Sequence, residues 1–257
     1  MITTNYHVHT HRCNHAEGRD RDYVEAAIAA GFSEIAFTDH SPWPLHPYEP
    51  GMIRMKLALL PDYVNSLRQL KEEYKDRISI KIGLECEYFA DRMEWLKETI
   101  RKYDLELIIL GNHFHEYEHH TRYFGSYKDK KNLLRDYTSD TLAAIESGVY
   151  GYFAHPDIFV RSLTQWTQEA ENASRMILES CKEHRIPVEY NLGGVRSRFF
   201  EFTYPYPRFW EIAAEVGNDV RIGIDAHSPM DFHDRKSIDD AISFLNLLGI
   251  IVDDKCI

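Results

Sequence analysis

The sequence predicts an α/β protein in which a parallel sheet closes into a barrel surrounded by helices. Short β-rich runs alternate with amphipathic helical patterns seven times along the 257 residues, which is typical of parallel sheets covered by helices. An open, doubly wound sheet would produce the same alternation. We favour the barrel because potential metal ligands follow six of the seven predicted strands, and barrel active sites are built at the carboxyl ends of the strands. Barrels commonly reach this length as one domain, so we expect residues 1–257 to form a single domain.

Each predicted element rests on its local pattern. The strands are runs of β-branched, aliphatic and aromatic residues: Tyr6–His9, Glu34–Thr38, Ile78–Leu84, Leu105–Leu110, Tyr150–Ala154, Pro187–Asn191 and Val220–Ile224. The helices between them place apolar residues at helical spacing: Asp22–Ala30, Leu57–Tyr74, Met93–Tyr103, Asn132–Glu146, Thr167–His184, Arg208–Val216 and Ser237–Leu248. Glycines such as Gly31 and Gly148 follow directly where a helix is expected to stop.

The composition is that of an ordinary globular protein, with 44% hydrophobic and 28% charged residues. The formal net charge of −11 argues against nucleic acid as a partner, because nucleic-acid-binding domains usually carry a basic face. A small phosphorylated substrate is compatible with this charge, since bound metal ions supply local positive charge inside an acidic protein.

The chain shows no signal peptide and no apolar run of the roughly 18 residues that a membrane span needs, so we expect no membrane partner. Four cysteines are scattered along the chain without a CxxC pair: Cys13, Cys86, Cys181 and Cys256. This pattern is typical of reduced thiols and predicts a cytoplasmic protein.

Histidines and carboxylates are concentrated directly after the predicted strands. The chain has 14 histidines, and the strand-end motifs are His7-Val8-His9, Asp39-His40, Glu85, Gly111-Asn112-His113, His155-Pro156-Asp157 and Asp225-Ala226-His227. In the His7/His9 and Asp225/His227 pairs, the spacing of two residues points both side chains to one face of a strand. The sequence therefore predicts that these groups meet at one rim of the barrel.

The residue types at this rim favour divalent metals. Imidazole and carboxylate together suit Zn, Fe or Mn rather than Ca or Mg. The set is larger than the roughly three protein ligands of one catalytic zinc, which predicts two or three metal ions bridged by a carboxylate. Glu85 is the expected bridge.

The motifs and their order resemble those of the polymerase-and-histidinol-phosphatase (PHP) superfamily. The matching segments run through nearly the whole chain: 6–10, 13–18, 37–42, 83–85, 155–156 and 223–228. The resemblance implies a distorted seven-stranded (β/α)7 barrel, similar to the TIM barrel, with a site for three divalent metal ions. The matching ligands are His7, His9, His15, His40, Glu85, His113, His155, Asp225 and His227, with Glu85 bridging two metals.

Within that superfamily the chain is similar to the stand-alone histidinol-phosphate phosphatases of histidine biosynthesis. Three features carry this similarity: segment 13–18, Arg161 after the His-Pro motif, and the stretch 189–196 followed by 204–207. In those enzymes one arginine after the His-Pro motif and one after the sixth strand hold the phosphate, and Arg161 and Arg196 are the matching residues. The resemblance implies hydrolysis of L-histidinol phosphate to L-histidinol and phosphate.

For such a centre we expect a metal-bridging hydroxide to attack phosphorus, because divalent metals lower the pKa of bound water toward about 7. Glu85 and Asp225 would hold the metals, and the planar forks of the two arginines would bind phosphate oxygens. Asp39, beside His40, is a candidate for protonating the leaving group or for orienting an imidazole. We favour the orienting role.

Some assignments have alternatives. His115 could replace His113 as a ligand, and Arg198 could replace Arg196. We expect Glu17 and Glu87 to be solvated or to support ligands, and Cys13 and Cys86 to pack rather than to bind metal. The histidines away from the strand ends are predicted non-ligands: His11, His46, His119, His120, His184 and His233.

Three other functions compete with histidinol-phosphate hydrolysis. The first is another PHP-type phosphoesterase acting on a different small phosphate monoester or on nucleotides. The second is a non-enzymatic metal-binding module, which the complete set of matching ligands disfavours. The third is an amidohydrolase barrel, which also opens with an HxH motif but commonly bridges its metals with a strand-end lysine, where this chain has Glu85.

Overall fold

A sheet of seven parallel strands forms the centre of the molecule. The computed structural model describes residues 2–44, 53–116, 122–197 and 202–254. The strands are β1 Thr4–Asn5, β2 Glu34–Phe37, β3 Ser79–Cys86, β4 Leu107–Leu110, β5 Tyr152–Phe153, β6 Val188–Asn191 and β7 Val220–Gly223. They lie in sequence order, and each pairs in parallel with the next.

The first and last strands meet and close the sheet into a barrel. Val8 and Ala226 form a parallel bridge, in which His9 N donates to Ala226 O at 3.0 Å and Ala226 N donates to His7 O at 3.2 Å. Below this bridge, Ile224 N donates to the side-chain oxygen of Asn5 at 2.8 Å. The predicted barrel is confirmed, and the open doubly wound sheet is wrong.

Eight α-helices of the described residues surround or cap the strands. Their bounds are α1 Asp20–Ala29, α2 Leu60–Glu73, α3 Met93–Tyr103, α4 Leu133–Glu146, α5 Gln168–Glu183, α6 Leu192–Arg196, α7 Pro207–Val216 and α8 Arg235–Leu247. Local chemistry sets several ends. Thr167 accepts a hydrogen bond from Ala170 N at the start of α5, and Pro207 occupies the first turn of α7, where a missing N–H costs nothing.

Two differences from the sequence-based expectations concern β1 and α6. The first strand was expected at Tyr6–His9, but the ladder with β2 forms at Thr4–Asn5. The HxH segment continues from it between the ends of β2 and β7, where Thr38 N donates to Val8 O at 2.9 Å and Val8 bridges to Ala226. Helix α6 was not expected, since its glycines Gly193 and Gly194 are poor helix formers. The side chain of Asn191 starts this helix by accepting from Gly194 N at 2.8 Å.

The barrel interior below the carboxyl ends of the strands is filled by side chains. A buried cluster of Tyr6, Ala36, Leu107, Ile109, Tyr152 and Ala154 is separate from the larger core between strands and helices. Its members alternate along the strands with residues of the outer core, so they face the barrel axis. Open space for a site is therefore left at the carboxyl ends of the strands.

Residues near the two ends of the described chain are bound to each other at the amino ends of the strands. The Asp254 carboxylate accepts hydrogen bonds from the main-chain N–H groups of Thr3 and Thr4 at 2.8 to 2.9 Å, and from both threonine hydroxyls. Val252 forms a parallel bridge with Val220 of β7. These contacts hold β1 and β7 on either side of the barrel seam.

Across the described parts of the chain, the helices are too short or too polar for any of them to traverse a lipid bilayer.

Candidate metal centre

A cavity of about 1000 Å³ opens at the carboxyl ends of the strands. Eight of the nine predicted metal ligands line it: His9, His15, His40, Glu85, His113, His155, Asp225 and His227. The ninth, His7, is completely buried beneath them. The structure therefore brings together the full set that the sequence places at separate strand ends.

The deepest group of donors consists of His7, His9 and Asp225, with Glu85 beside them. Asp225 Oδ1 lies 3.4 Å from His7 Nε2 and 3.1 Å from His9 Nε2. Glu85 Oε2 lies 3.5 and 3.6 Å from the same two nitrogens. Ligand atoms around a tetrahedral zinc are roughly 3.4 Å apart, given the usual zinc–ligand distances, so each of these two oxygens has the spacing of an atom that shares an ion with His7 and His9.

A second group shares the other oxygen of Glu85. Glu85 Oε1 lies 2.8 Å from His155 Nε2 and 3.3 Å from His113 Nε2. Because the two oxygens of one carboxylate face two separate sets of imidazoles, Glu85 has the geometry of a bridging ligand.

A third group lies at the mouth of the cavity. The Nε2 atoms of His15 and His227 are 2.9 Å apart, and His40 completes a trio whose ligand atoms lie within 4.8 Å of one another. The outer nitrogens of two of these rings face main-chain oxygens: His15 Nδ1 is 2.9 Å from Cys13 O and His227 Nδ1 is 3.1 Å from Asp225 O.

Two of the clustered residues have unusual backbone conformations. His155 has φ 31° and Asp225 has φ 52°, in the left-handed region that costs a non-glycine residue of order 1–3 kcal/mol. Each residue lies two positions after the end of its strand, and the side chains of both line the cavity.

Burial and mutual attraction set the charge state of the carboxylates. Burial alone would raise the pKa of Glu85 and of Asp225, but the neighbouring histidines hold both well below their usual range. Both groups are therefore anionic in this environment, as metal ligands must be.

The histidines divide into two kinds. Burial lowers the pKa of His40 and of His15, and lowers that of His227 to about 3, so these rings are neutral. Burial opposes protonation of His7 and His9 as well, but nearby carboxylates raise the pKa of His7 and raise that of His9 to about 9. A metal ion entering this group would displace a proton.

The donor set fits divalent metal ions. Glu85 Oε2 and Asp225 Oδ1 are buried and have no hydrogen-bond donor among the described residues, although an unsatisfied buried carboxylate oxygen is costly. Bound cations would satisfy these oxygens, and the surrounding imidazoles are ligands that Zn, Fe and Mn accept.

Three carboxylates lie behind the histidines rather than in the cavity. Asp39 accepts from the Thr10 hydroxyl and from His40 N, and its Oδ1 is 3.5 Å from His9 Nδ1. Asp39 does not line the cavity, so its contacts are those of a group that orients His9. From the sequence, both roles were considered and the orienting one was favoured.

Glu87 is fully buried, so the expectation that it is solvated is wrong. Its Oε1 is 3.1 Å from His113 Nδ1 and accepts from Arg54 Nη2 at 2.6 Å. Trp43 Nε1 donates to its other oxygen at 2.8 Å. Glu87 supports His113 from behind, which was the alternative expectation.

Glu189 was missed as a functional residue by sequence reasoning. It lies on β6, and its carboxylate is 3.0 Å from His7 Nδ1. The sequence signal is only that it is an acidic residue within a predicted barrel strand, two residues before Asn191.

The two predicted phosphate-binding arginines lie in different settings. Arg196 lines the cavity; its Nη2 donates to Ile224 O and Asp225 O at 2.8 and 2.9 Å. Arg161 does not line the cavity; its Nη1 is 3.5 Å from the hydroxyl of Tyr123, which does. Arg198, the alternative to Arg196, lies outside the described residues.

The remaining histidines are mostly away from the cluster. His11, His184 and His233 are exposed, whereas His46, His119 and His120 lie outside the described residues. His115 does not line the cavity and its Nδ1 is 2.8 Å from Asp140, which favours His113 as the ligand. Cys13 is buried within reach of His9 and His227, and burial raises the pKa of its thiol, as expected for a packing residue.

A family model described as the PHP domain matches residues 5–192. The chain belongs to the PHP domain family. In this PHP domain protein the matched segment contains seven of the nine predicted ligands, and Asp225 and His227 lie outside it, just after the end of β7. The family membership expected from the strand-end motifs is confirmed.

Relatives of this PHP domain protein carry consistent names. The probable histidinol-phosphatase of Deinococcus radiodurans is 29% identical over 87% of this chain and 85% of that protein. The histidinol-phosphatase of Bacillus subtilis is 25% identical over 88% of this chain and 93% of that protein.

A solved structure with the same fold is that of histidinol phosphate phosphatase from Lactococcus lactis, complexed with zinc, L-histidinol and phosphate. It is 24% identical in sequence, with a TM-score of 0.73 over 98% of this chain and 95% of that one. The likeness confirms the TIM-like barrel of the PHP domain protein.

Proposed function

We propose that this protein is a histidinol-phosphatase that hydrolyses L-histidinol phosphate to L-histidinol and phosphate. The observation that carries the proposal is the cluster of imidazoles and carboxylates in one cavity with Arg196 at its edge. The names of relatives that align with most of the chain support the choice of substrate.

The proposed metal ligands are the nine residues that line or underlie the cavity: His7, His9, His15, His40, Glu85, His113, His155, Asp225 and His227. The three donor groups described above support three metal ions, with Glu85 as the bridge. Zn, Fe and Mn fit these donors best. When bound, such ions supply Lewis acidity and activate water as a nucleophile.

We infer that Arg196, which lines the cavity, binds the substrate phosphate. Its Nη1 is buried and lacks a hydrogen-bond partner among the residues described, whereas Nη2 is held by main-chain oxygens. A guanidinium fixed in this way presents a charged donor to phosphate oxygens. Arg161 would reach the phosphate beside Tyr123, whose hydroxyl it contacts.

The rest of the cavity suits a small organic leaving group. Ile53, Phe114, Ile158 and Tyr204 line it together with polar groups at the mouth. An apolar wall with a few placed polar groups is typical of small-molecule sites. Asp39 accepts a hydrogen bond from the Thr10 hydroxyl and lies 3.5 Å from His9 Nδ1. We therefore assign it to orienting His9 rather than to protonating the leaving group.

The test is a turnover screen of the purified protein reconstituted with Zn, Mn or Fe. Substrates are L-histidinol phosphate, other small phosphate monoesters and nucleotides, and metal content is measured in parallel. We expect kcat/KM for L-histidinol phosphate to exceed that for the other esters by roughly 100-fold, and a chelator to abolish turnover reversibly.

Matched variants connect the activity to the cluster. His155→Ala removes a proposed ligand, whereas His184→Ala removes an exposed helix histidine; only the first is expected to lose metal and activity. If the protein prefers another phosphate monoester, that ester replaces L-histidinol phosphate as the proposed substrate. If no ester is hydrolysed with any metal, the proposed enzymatic function is wrong.

A further inference from the structure

Glu189 lies on β6 behind the deepest part of the metal centre. Its side chain is completely buried, and its two oxygens are 3.0 and 3.1 Å from His7 Nδ1. The other nitrogen of the same ring, Nε2, faces Asp225 and Glu85 at 3.4 and 3.5 Å. Glu189 therefore contacts the one nitrogen of His7 that the cluster does not use.

Three further donors fix the Glu189 carboxylate in place. Tyr152 OH donates at 3.1 Å, His155 N at 3.0 Å and Asn191 Nδ2 at 2.7 Å. Together with the His7 ring these contacts reach about the four hydrogen bonds that a carboxylate can accept. The carboxylate is thus held in one orientation by protein donors.

The neighbouring strand leaves space for this carboxylate. A Cβ atom on Gly223 of β7 would lie 1.7 Å from Glu189 Oε1 and 2.3 Å from its carboxyl carbon. Any residue other than glycine at this position would displace Glu189. The close approach of β7 therefore restricts the movement of the Glu189 carboxylate beside His7.

The same contacts extend from Glu189 to a second proposed ligand. Asn191 Nδ2, which donates to Glu189, is also 3.2 Å from Asp225 Oδ2. The same oxygen of Glu189, Oε2, also accepts from the main-chain N–H of His155. One buried carboxylate is consequently linked to His7, His155 and Asp225, which lie on three different strands or their extensions.

We propose that Glu189 is the positioning residue of the metal centre. It keeps the proton of His7 on Nδ1, so that the lone pair of Nε2 faces the metal, and it fixes the side chains around that ligand. Histidine ligands generally donate their second N–H to such a partner, whose loss weakens metal binding or activity about 10- to 100-fold. The inference rests on the metal-binding part of the proposed function and is independent of the substrate.

The experiment compares Glu189→Gln with Glu34→Gln as its matched control. Glu34 is also buried and also accepts from a tyrosine, Tyr6, and a serine, Ser79, but it lies at the amino ends of the strands, away from the cavity. Zinc affinity is measured by chelator competition on each folded protein, with far-UV circular dichroism as the check on folding. We expect zinc binding to weaken about 10- to 100-fold in Glu189→Gln and to stay at the wild-type value in Glu34→Gln.

Wild-type zinc affinity in Glu189→Gln would overturn the proposal, as would an equal loss in Glu34→Gln. If Glu189→Gln does not fold, Glu189→Asp is measured in the same way. That variant keeps the charge but is one methylene shorter, so its carboxylate should not reach His7 and zinc binding should weaken; retention of the wild-type affinity would overturn the proposal.

A spectroscopic readout separates positioning from general stability. In zinc-loaded wild-type protein, ¹⁵N NMR of the His7 ring should show a protonated Nδ1 and a metal-bound Nε2, whereas Glu189→Gln should lose this single tautomer. An unchanged His7 spectrum in the variant would overturn the proposal. Neither measurement uses substrate, so a failure to hydrolyse L-histidinol phosphate leaves this test intact.

Discussion

The guanidinium of Arg196 is held by main-chain oxygens through Nη2, whereas Nη1 is left for the substrate phosphate. The contribution of Arg196 to phosphate binding can therefore be measured by substitution. We predict that Arg196→Ala raises KM for the phosphate monoester and lowers kcat/KM about 10- to 100-fold, because a hydrogen bond to a charged group contributes about 1.5–3 kcal/mol. Steady-state kinetics on the metal-loaded protein measure the effect. Arg161→Ala should change the kinetics in the same direction.

The control for these variants is Arg208→Ala. Arg208 lies on α7 and pairs with Glu171 and Glu211, so its removal should leave kinetics unchanged. If Arg196→Ala and Arg161→Ala both behave like this control, neither arginine binds the phosphate.

Gly111 makes the bridging geometry of Glu85 possible. A Cβ at Gly111 would lie 2.3 Å from Glu85 Oε1, and the carboxylate would have to move. We predict that Gly111→Ala weakens zinc binding at least about 10-fold, by analogy with the loss of a ligand's support, and that chelator competition detects it.

Gly151→Ala is the comparison for Gly111→Ala. A Cβ at Gly151 would meet only Leu107 Cδ1, at the ordinary contact distance of 3.4 Å, so metal binding should be retained. Equal zinc affinity in the two variants would show that Glu85 tolerates the displacement.

A residue of the site could be predicted from the sequence when its side-chain type and its spacing from neighbouring residues indicate metal binding. His7, His9 and Asp225 stand out because strand-end imidazoles and carboxylates at a spacing of two are rarely accidental. Glu189 gives no such pattern. Its importance arises from contacts with His7, 182 positions away in sequence, which the fold alone creates.

Helices and strands were predictable where burial of one face makes apolar residues recur at a regular spacing in the sequence. Helix α3 has the expected bounds, Met93–Tyr103, because its apolar face recurs at helical spacing. Helix α6 was missed because it is five residues long and carries two glycines. Its start is fixed by the side chain of Asn191, which accepts from Gly194 N. The amide nitrogen of the same side chain contacts Asp225, which is distant in sequence.

A buried ion pair connects the segment after β2 with the end of β3. Arg54 Nη2 lies 2.6 Å from Glu87 Oε1, and both side chains are almost fully buried. We predict that Arg54→Met lowers the free energy of unfolding by about 3–5 kcal/mol, because Glu87 is left as an uncompensated buried charge. Equilibrium denaturation of the metal-free protein measures this.

An exposed ion pair is the matched comparison for the buried one. Lys71→Met breaks the contact of Lys71 with Glu106 and should cost no more than about 1 kcal/mol. Similar losses in the two variants would show that Glu87 finds another partner when Arg54 is removed.

At the scale of the whole molecule, the barrel seam is held at both ends, by the bridge between Val8 and Ala226 among the proposed ligands and by Asp254 on the opposite face. The cavity lies at the carboxyl ends of the strands, whereas the Asp254 carboxylate joins Thr3 and Thr4 at the amino ends. We predict that Asp254→Ala lowers the free energy of unfolding by about 1–3 kcal/mol, because it leaves main-chain N–H groups without their acceptor. Chemical denaturation provides the measurement.

Asp240→Ala is the control for Asp254→Ala. Asp240 is exposed on α8 and pairs with Lys236, so its removal should change stability by less than about 0.5 kcal/mol. If Asp254→Ala is equally mild, the contacts of Asp254 with the first strand do not stabilise the closed barrel.

The alternation of strands and helices predicted a parallel sheet but not its closure, which the potential ligands at the predicted strand ends favoured. Seven strand–helix units fit an open sheet equally well, and the contact between Val8 and Ala226 decides between them. That contact joins residues near opposite ends of the sequence, and no local pattern encodes it.

The pairing of Thr3 with Asp254 has a practical consequence for handling the protein. The beginning and end of the described chain emerge side by side on the face opposite the cavity. Attachment to a solid support or to a carrier protein through either end would therefore leave the cavity facing outward. Joining the two ends by a short linker and opening the chain at an exposed turn, such as the one at Gly148, should preserve the arrangement of the rim.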